Sequence, residues 1–260
     1  MYLYLHDDLK KYFSADEPLF DQIMALRGET FRHQEGRITQ RVTIGGKTYF
    51  IKQHHGVGWK EIFKNLLQCK LPVLGAKNEW QAIAKLHTLG VSVPAVVGYG
   101  QRGSNPATQQ SFVLMEELTR VNSLETWCAN WRQTPPDFST KRKLIEHVAQ
   151  IARIMHQHGI NHRDFYLCHF LLDTEQQQTM FLIDLHRAQI RDKTPERWVI
   201  KDLAGLYFSS KDCGLTQRDL YRFMQFYRKK TLRDLVRTER DFWQKVRIRG
   251  EQLYRDHTKQ

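Results

Sequence analysis

The chain has 260 residues, of which 41% are hydrophobic and 12% aromatic, enough to bury a substantial core and to exclude an intrinsically disordered protein. It carries 40 lysine and arginine residues against 28 acidic ones, so its formal net charge is +12. This excess predicts an anionic partner: nucleic acid, an anionic membrane surface, an acidic protein or a phosphorylated substrate.

The first third of the chain predicts a β-hairpin followed by a helix. In RVTIGGKTYFIK, apolar residues alternate on both sides of Gly45-Gly46, which is typical of two antiparallel strands joined by a glycine turn. Lys52 is expected at the end of the second strand. In KNEWQAIAKLHTL, helical spacing of Trp80, Ile83, Ala84 and His87 predicts a helix over residues 77–89, with Glu79 in its first turn.

The middle of the chain completes the predicted sheet and begins a helical part. VSVPAVVGYG and SFVLMEEL are typical of a second antiparallel pair that ends at Met115–Leu118. KRKLIEHVAQIARIMHQHGI predicts a helix that stops at Gly159, directly before NHRD, and HFLLD and MFLID predict a short hairpin. From about residue 201 the chain is expected to be mostly helical. The fold class is therefore α+β, a single domain of two lobes that share a cleft: a small antiparallel β-rich N-lobe (1–118) and a mostly helical C-lobe (119–260).

Two aspartates are placed where phosphoryl transfer needs carboxylates. Asp164 follows the long helix, and Asp184 follows the second strand of the hairpin, 20 residues later. Because a hairpin returns the chain to its starting point, the two side chains are expected to converge. One carboxylate can then accept the proton of an acceptor hydroxyl while the other binds Mg²⁺, which prefers oxygen ligands.

Residues of the N-lobe supply the remaining tasks of an ATP site. Lys52 can present a fixed ammonium to the α- and β-phosphates of ATP, and Glu79 can hold that ammonium through an ion pair. The segment with Met115, Glu116 and Leu118 can offer backbone donors and acceptors to the adenine ring.

These residues resemble the motifs of the eukaryotic-type protein-kinase superfamily. TYFIK is similar to its VAIK strand, NHRDF to its HRD loop, and LIDLH stands in place of DFG. Other features depart from the pattern. Only Gly36 precedes Lys52 in the glycine-loop region, His169 stands in place of the magnesium-binding Asn, His186 replaces the Gly of DFG, and no APE segment follows. A protein substrate with a regulated activation loop is therefore not expected.

A narrower resemblance covers nearly the whole chain. KNLLQCKLPVLGAKNEW, GINHRDFYLCHFLL, IDLHRAQIR and KDLAGLYFSSKDCGLTQRDLYRFM resemble segments of the lipopolysaccharide core heptose(I) kinases of Gram-negative bacteria. The one departure at the motif is Phe165, where that family usually has Cys after HRD. The resemblance implies transfer of the γ-phosphate of ATP to the O4 hydroxyl of the first heptose of the inner core.

The same resemblance implies roles for single residues. Asp164 would be the catalytic base, Lys52 the phosphate ligand and Asp184 the Mg²⁺ ligand. His169 would be either a second metal ligand or a phosphate donor. A further expectation, from position alone, is that Arg163 and Arg187 contact phosphate or substrate.

The implied acceptor, a lipid A–Kdo–heptose glycolipid, gives the positive charge a partner. Basic side chains can hold an anionic glycolipid at the inner leaflet. The sequence shows neither a signal peptide nor an apolar run of roughly 18 to 20 residues, so the expected location is cytoplasmic, peripheral at the inner face of the inner membrane. Acyl carrier protein is a further partner that the sequence leaves open.

Four alternatives stay open at this point. His162, Cys168, His169 and His186 cluster in one region, but without the paired spacing of zinc sites, and Cys69, Cys128, Cys168 and Cys213 are scattered like reduced thiols. A nucleic-acid-binding module would need a motif that the basic, aromatic C-terminal region lacks, and nucleic acid is not an expected partner. A pseudokinase commonly loses one of the four residues Lys52, Glu79, Asp164 and Asp184. A kinase for another core sugar such as Kdo has the same catalytic residues.

Overall fold

The structure, a computed structural model, describes residues 1–34, 36–67, 73–175 and 179–259. Cys69, Glu35 of the glycine-loop region and the glutamines 176–178 of the predicted hairpin loop lie outside these ranges. The chain forms two compact units. The first, the sheet unit, consists of residues 1–85 and 93–119, and the second, the helical unit, of residues 86–92 and 120–260.

An antiparallel sheet of six strands, in the order β1-β5-β6-β4-β3-β2, organises the sheet unit. In chain order the elements are β1 Tyr2–Leu5, α1 Asp7–Lys10, α2 Leu19–Ala25, β2 Glu29–Gln34, β3 Arg37–Ile44, β4 Lys47–His54, α3 Gly58–Leu67, α4 Lys77–Thr88, β5 Val96–Arg102 and β6 Gln110–Glu116. The core packs α2 against one face of the sheet through Phe20, Ile23, Ile51, Phe112 and Leu114. Apolar residues at every second strand position create that face.

The hairpin β3–β4 forms where the sequence predicts it, because Gly45 and Gly46 adopt positive φ angles of 58° and 80° that a two-residue turn requires. One detail differs from the prediction. Lys52 is not the last residue of β4, since the strand continues to His54. Gln53 and His54 look like loop residues in the sequence, yet both are buried and paired with β6.

Helices dominate the second unit, with two small antiparallel sheets, β10-β9-β7 and β11-β8. Its elements are β7 Val121–Ser123, α5 Leu124–Cys128, α6 Phe138–Gln157, β8 Ile160–Asn161, β9 Phe170–Asp173, β10 Met180–Leu182, β11 Gln189–Ile190, α7 Glu196–Ser210, α8 Gln217–Arg228, α9 Leu232–Thr238 and α10 Arg240–His257. Leu167–His169 and Leu185–Arg187 are short 3-10 helices.

The long helix α6 ends where a glycine is needed. Asp137 caps its N-terminus by accepting the N–H of Thr140. After its C-terminus, Gly159 has φ 78°, and a Cβ there would lie 1.7 Å from the carbonyl oxygen of Arg191. Only glycine permits this approach, which lets β8 pair with β11.

The predicted fold class is confirmed: a small antiparallel β-rich N-lobe and a mostly helical C-lobe. The final helical part begins earlier than predicted, at Glu196 rather than about residue 201, with Pro195 as the N-cap residue. Among the described helices, none combines membrane-spanning length with an apolar composition.

Candidate active site

In the sheet unit, Lys52 and Glu79 form a buried ion pair. Lys52 Nζ lies 2.5 Å from Glu79 Oε1, and the residues are only 8% and 1% exposed. Lys52 is fixed by its place in β4, opposite Val113 of β6, and Glu79 by the first turn of α4. Removing either charge from such a pair would leave the other buried and uncompensated, so the pair fixes the position of the ammonium group.

The segment predicted for adenine binding ends strand β6. Met115 is buried and Glu116 is exposed. The backbone N–H of Glu116 donates to Ala95, and that of Glu117 donates to Thr48. Both groups are therefore engaged within the sheet unit, and Leu118 is the first residue beyond them.

In the helical unit, Asp202 of α7 holds the loop that carries Asp164. This fully buried carboxylate accepts the backbone N–H of His162 at 2.7 Å and of Arg163 at 2.8 Å. Arg163 has φ 78°, a left-handed conformation that costs a non-glycine residue free energy. The two charge-assisted hydrogen bonds to Asp202 offset that cost and fix the position of the backbone directly before Asp164.

His162 ties this loop to the segment that carries Asp184. Its Nε2 lies 2.9 Å from the carbonyl oxygen of Ile183, and because a carbonyl only accepts, Nε2 carries the hydrogen. Burial lowers the pKa of His162, which keeps the ring neutral. Below it packs Phe165, fully buried, with its ring centroid 5.7 Å from that of His162. The Phe that departs from the family pattern is thus a core residue under the loop.

Arg187 orients the carboxylate of Asp164. Its Nη1 donates to Asp164 Oδ1 at 2.8 Å. Asp164 Oδ2 receives no hydrogen bond from the described residues, and the side chain is 16% exposed. The carboxylate is therefore held at one oxygen, and the other oxygen can accept a proton from a hydroxyl group.

Asp184 also has a left-handed backbone, with φ 59° and ψ 49°. Its Oδ1 lies 2.8 Å from His186 Nδ1, and its Oδ2 lies 3.6 Å from His169 Nε2. His169 Nδ1 lies 2.7 Å from the carbonyl oxygen of Asp164. The histidines that replace the Asn and Gly of the protein-kinase pattern thus position Asp184, and His169 contacts both aspartates.

These contacts can be tested for their fit to Mg²⁺. His169 Nδ1 donates to a carbonyl, and with no proton on Nε2 the ring offers a lone pair on the side of Asp184 Oδ2. Two acceptor atoms in this position suit a cation between them. Within the described ranges, no group of three or more His, Cys, Asp or Glu residues is arranged to hold a metal ion. Mg²⁺ commonly takes one or two protein ligands and completes its shell with water and phosphate, so the residues present fit it.

The structure separates the two arginines that the sequence groups together. Arg187 contacts Asp164, whereas Arg163 is 8% exposed and its guanidinium carbon lies 5.3 Å from the ring centroid of Trp198. Sequence reasoning missed Asp202. One signal was present: in WVIKDLAGLYF, Asp202 is the one acidic residue and, with Lys201, one of two charged residues in a mainly apolar run, which is typical of a buried carboxylate with a structural partner.

The helical unit also contains a cavity of about 480 Å³ that no motif predicted. Its walls are mainly apolar side chains of α6, α7 and α8, including Leu144, Val148, Leu203, Leu206 and Phe223. None of the residues predicted as site residues lines it. Amphipathic helix faces look the same in sequence whether they close on one another or leave a space.

Known proteins that are similar to this chain include lipopolysaccharide kinases. The profile of the lipopolysaccharide kinase (Kdo/WaaP) family matches residues 21–227. The lipopolysaccharide core heptose(I) kinase WaaP of Pseudomonas aeruginosa is 47% identical over 259 residues, 98% of this chain and 96% of that protein. Its counterpart of Escherichia coli K12 is 48% identical over 239 residues, 90% of each chain. A solved structure described as WaaP in complex with acyl carrier protein superposes with a TM-score of 0.84 at 42% identity, covering 98% of this chain and 100% of that one.

Proposed function

Because this chain belongs to the lipopolysaccharide kinase (Kdo/WaaP) family, we propose that it transfers the γ-phosphate of ATP to the O4 hydroxyl of the first heptose of the lipopolysaccharide inner core. The chain is a phosphotransferase of lipopolysaccharide core biosynthesis. The proposal adds which hydroxyl group of the sugar accepts the phosphate. The observation that supports the chemistry most is that His169 contacts both aspartates, the backbone carbonyl of Asp164 and the side chain of Asp184. Asp184 itself and Arg163, the residue before Asp164, have left-handed backbone conformations.

Asp164 is the catalytic base in this proposal. Arg187 fixes Oδ1, so Oδ2 meets the acceptor hydroxyl and accepts its proton as the oxygen attacks phosphorus. Asp202 and His162 act on this step indirectly, because they hold the loop backbone rather than the substrate. Phosphoryl transfer depends largely on positioning, which is the task that these contacts perform.

Lys52, Asp184 and His169 hold the nucleotide in this proposal. Lys52, fixed by Glu79, pairs with the α- and β-phosphates, and the segment with Met115, Glu116 and Leu118 contacts adenine, with Leu118 the first donor not engaged by the sheet. Asp184 holds Mg²⁺, with His169 as either a second ligand or a phosphate donor. When bound, Mg²⁺ neutralises charge on the phosphates.

The acceptor and the membrane surface are the proposed partners, and acyl carrier protein is a third. The net charge of +12 suits an anionic glycolipid and an acidic protein alike. A solved relative is described as a complex with acyl carrier protein, which supports the third partner.

An exposed apolar face of α3 supports a peripheral position at the inner face of the inner membrane. Trp59, Phe63 and Leu67, four residues apart, are 50%, 58% and 87% exposed beside Lys60 and Lys64.

Transfer of labelled phosphate tests the proposed function. The purified protein is incubated with γ-labelled ATP and core lipopolysaccharide that lacks the heptose phosphate. Kdo–lipid A and protein substrates serve as controls. We expect label at O4 of the first heptose only. Label on Kdo would instead favour a kinase for that sugar, and label on protein alone would contradict the proposal.

Two substitutions separate the roles of the aspartates. Asp164→Ala should reduce transfer about a hundred- to ten-thousandfold with ATP affinity nearly unchanged, because this carboxylate acts on the acceptor. Asp184→Ala should instead remove the Mg²⁺-dependent part of ATP binding. Asp256→Ala, at the exposed end of α10, is the matched control and should leave both transfer and binding unchanged. Residual transfer close to the wild-type rate in Asp164→Ala would exclude it as the base.

A further inference from the structure

Four cations surround one tryptophan of the helical unit. The guanidinium carbons of Arg163, Arg191 and Arg197 lie 5.3, 5.8 and 5.4 Å from the ring centroid of Trp198, and Lys201 Nζ lies 5.3 Å from it. A cation is attracted to the face of an aromatic ring. Repulsion among the four cations opposes this attraction. The ring alone therefore does not explain why the cations converge.

Burial and mutual repulsion act together on the pKa values of two members of the cluster. Burial, followed by Arg163 and Arg187, lowers the pKa of Lys201. Burial, followed by Arg187, also lowers the pKa of Arg163. Asp164 and Asp202 act in the opposite direction on the pKa of Arg163, but the hydrogen bonds of these carboxylates go to Arg187 and to two backbone N–H groups rather than to the cations around Trp198. The cluster therefore carries a surplus of positive charge.

Three buried N–H donors in the same cluster have no acceptor among the described residues: Asn161 Nδ2, Arg163 Nε and Trp198 Nε1. The orientation of the Asn161 amide is fixed, because its Oδ1 accepts Arg191 Nη1 at 2.5 Å. A buried donor without an acceptor destabilises the fold, because it has lost its hydrogen bonds to water. Donors without acceptors, combined with surplus positive charge, suit a negative group that only accepts hydrogen bonds.

We propose that Arg163, Arg191 and Lys201, arranged around Trp198, form an anion-binding subsite for a carboxylate or phosphate group of the glycolipid acceptor. This inference rests on the proposed function, because the acceptor supplies the anion. The cluster adjoins the acceptor side of the chemistry: Arg163 precedes Asp164, and Arg187 contacts its carboxylate. Arg191 and Lys201 are only partly buried and offer the approach. An anion bound there fixes the sugar whose hydroxyl must meet Asp164.

Lys201→Gln tests the subsite with little risk of misfolding, because it removes a repelled charge. Binding of heptose-dephosphorylated core glycolipid is measured in detergent without nucleotide, together with steady-state kinetics. We expect the dissociation constant and the KM for the acceptor to rise about tenfold, with the KM for ATP unchanged. The unfolding midpoint should not fall. Lys259→Gln, which removes an exposed lysine, is the matched control and should match wild type.

Three acceptors identify the anion: the intact glycolipid, one with the acidic-sugar carboxylates reduced to alcohols, and one without the lipid A phosphates. If the subsite binds a given anionic group, removing that group from the glycolipid weakens its binding to the wild-type protein but not its binding to Lys201→Gln. The modification that behaves in this way identifies the bound group. The proposal fails if Lys201→Gln binds all three as wild type does, or if only the KM for ATP rises. A wild-type protein that binds the glycolipid but leaves its heptose unphosphorylated would contradict the proposed function, while the binding results would still decide the subsite.

Discussion

Single buried side chains, each held by a specific partner, set the geometry of the candidate site. Lys52, Glu79, Asp164 and Asp184 stand in recognisable motifs, and the structure places the first two in an ion pair and the last two around His169. Their catalytic roles stay predictions. Asp202 was missed because the backbone N–H groups that it accepts lie 40 and 39 residues away in sequence. Trp198 was missed because Arg163, one of its cations, belongs to another part of the chain.

Asp202→Asn should loosen the loop that carries Asp164. The amide keeps one acceptor oxygen but turns an N–H₂ group toward the second backbone N–H. We expect a loss of about 2 to 3 kcal/mol in the free energy of unfolding, measured with urea. The kcat for transfer should fall, because Arg163 no longer holds its left-handed conformation as firmly.

Asp219→Asn is a matched control for that change. Asp219 is also buried in the helical unit and accepts a backbone N–H, that of Thr216. It contacts Lys141 at the start of α6, whereas Asp202 contacts His156, 15 residues or about 22 Å further along the helix. Asp219→Asn should lose comparable stability with little change in kcat. Equal losses of kcat would mean that Asp202 acts through stability alone.

Secondary-structure elements with a local signature were predictable, and those stabilised by distant partners were not. The hairpin β3–β4 depends on Gly45-Gly46, and α6 on its own apolar spacing and Gly159. By contrast, β1 pairs with β5 almost 100 residues away, and β7 joins the β9–β10 hairpin across some 50 residues. Such pairings depend on the surface that another segment offers, which no short stretch of sequence contains.

Helix α3 belongs to the same unpredicted group, and its exposed face has a testable role. Phe63→Ser combined with Trp59→Ser should reduce binding to vesicles of anionic phospholipid at least tenfold, because each ring buries apolar area worth about 1.5 to 3 kcal/mol. Phe138→Ser, an equally exposed phenylalanine of the helical unit, is the control and should bind like wild type. Vesicle sedimentation measures the effect. Unchanged binding of the double variant would exclude α3 as the membrane contact.

At the scale of the whole molecule, the net charge of +12 makes association dependent on salt. The screening length falls from about 10 Å at 0.1 M to about 3 Å at 1 M salt. The association rate with acyl carrier protein should therefore fall at least tenfold over this range, as measured by stopped-flow fluorescence. A form of that carrier with its acidic surface residues neutralised should show a much weaker dependence. A rate that is independent of salt would mean that charge does not guide this partner.

The packing of α10 on α7 indicates how far toward the C-terminus an active fragment must extend. The family profile ends at residue 227, yet α10 lies beyond it and contacts the helix that carries Asp202. Tyr207 of α7 and Lys211, the residue directly after that helix, both donate to Glu251 of α10, at 2.7 and 2.5 Å. At Gly250 a Cβ would lie 2.5 Å from the ring of Tyr207, so the helices meet closely. A fragment cut to the matched span would retain every residue assigned to catalysis but lose α10, which packs on the helix whose Asp202 holds the loop of Asp164. We therefore expect an active fragment to extend beyond residue 227 and to include Gly250 and Glu251.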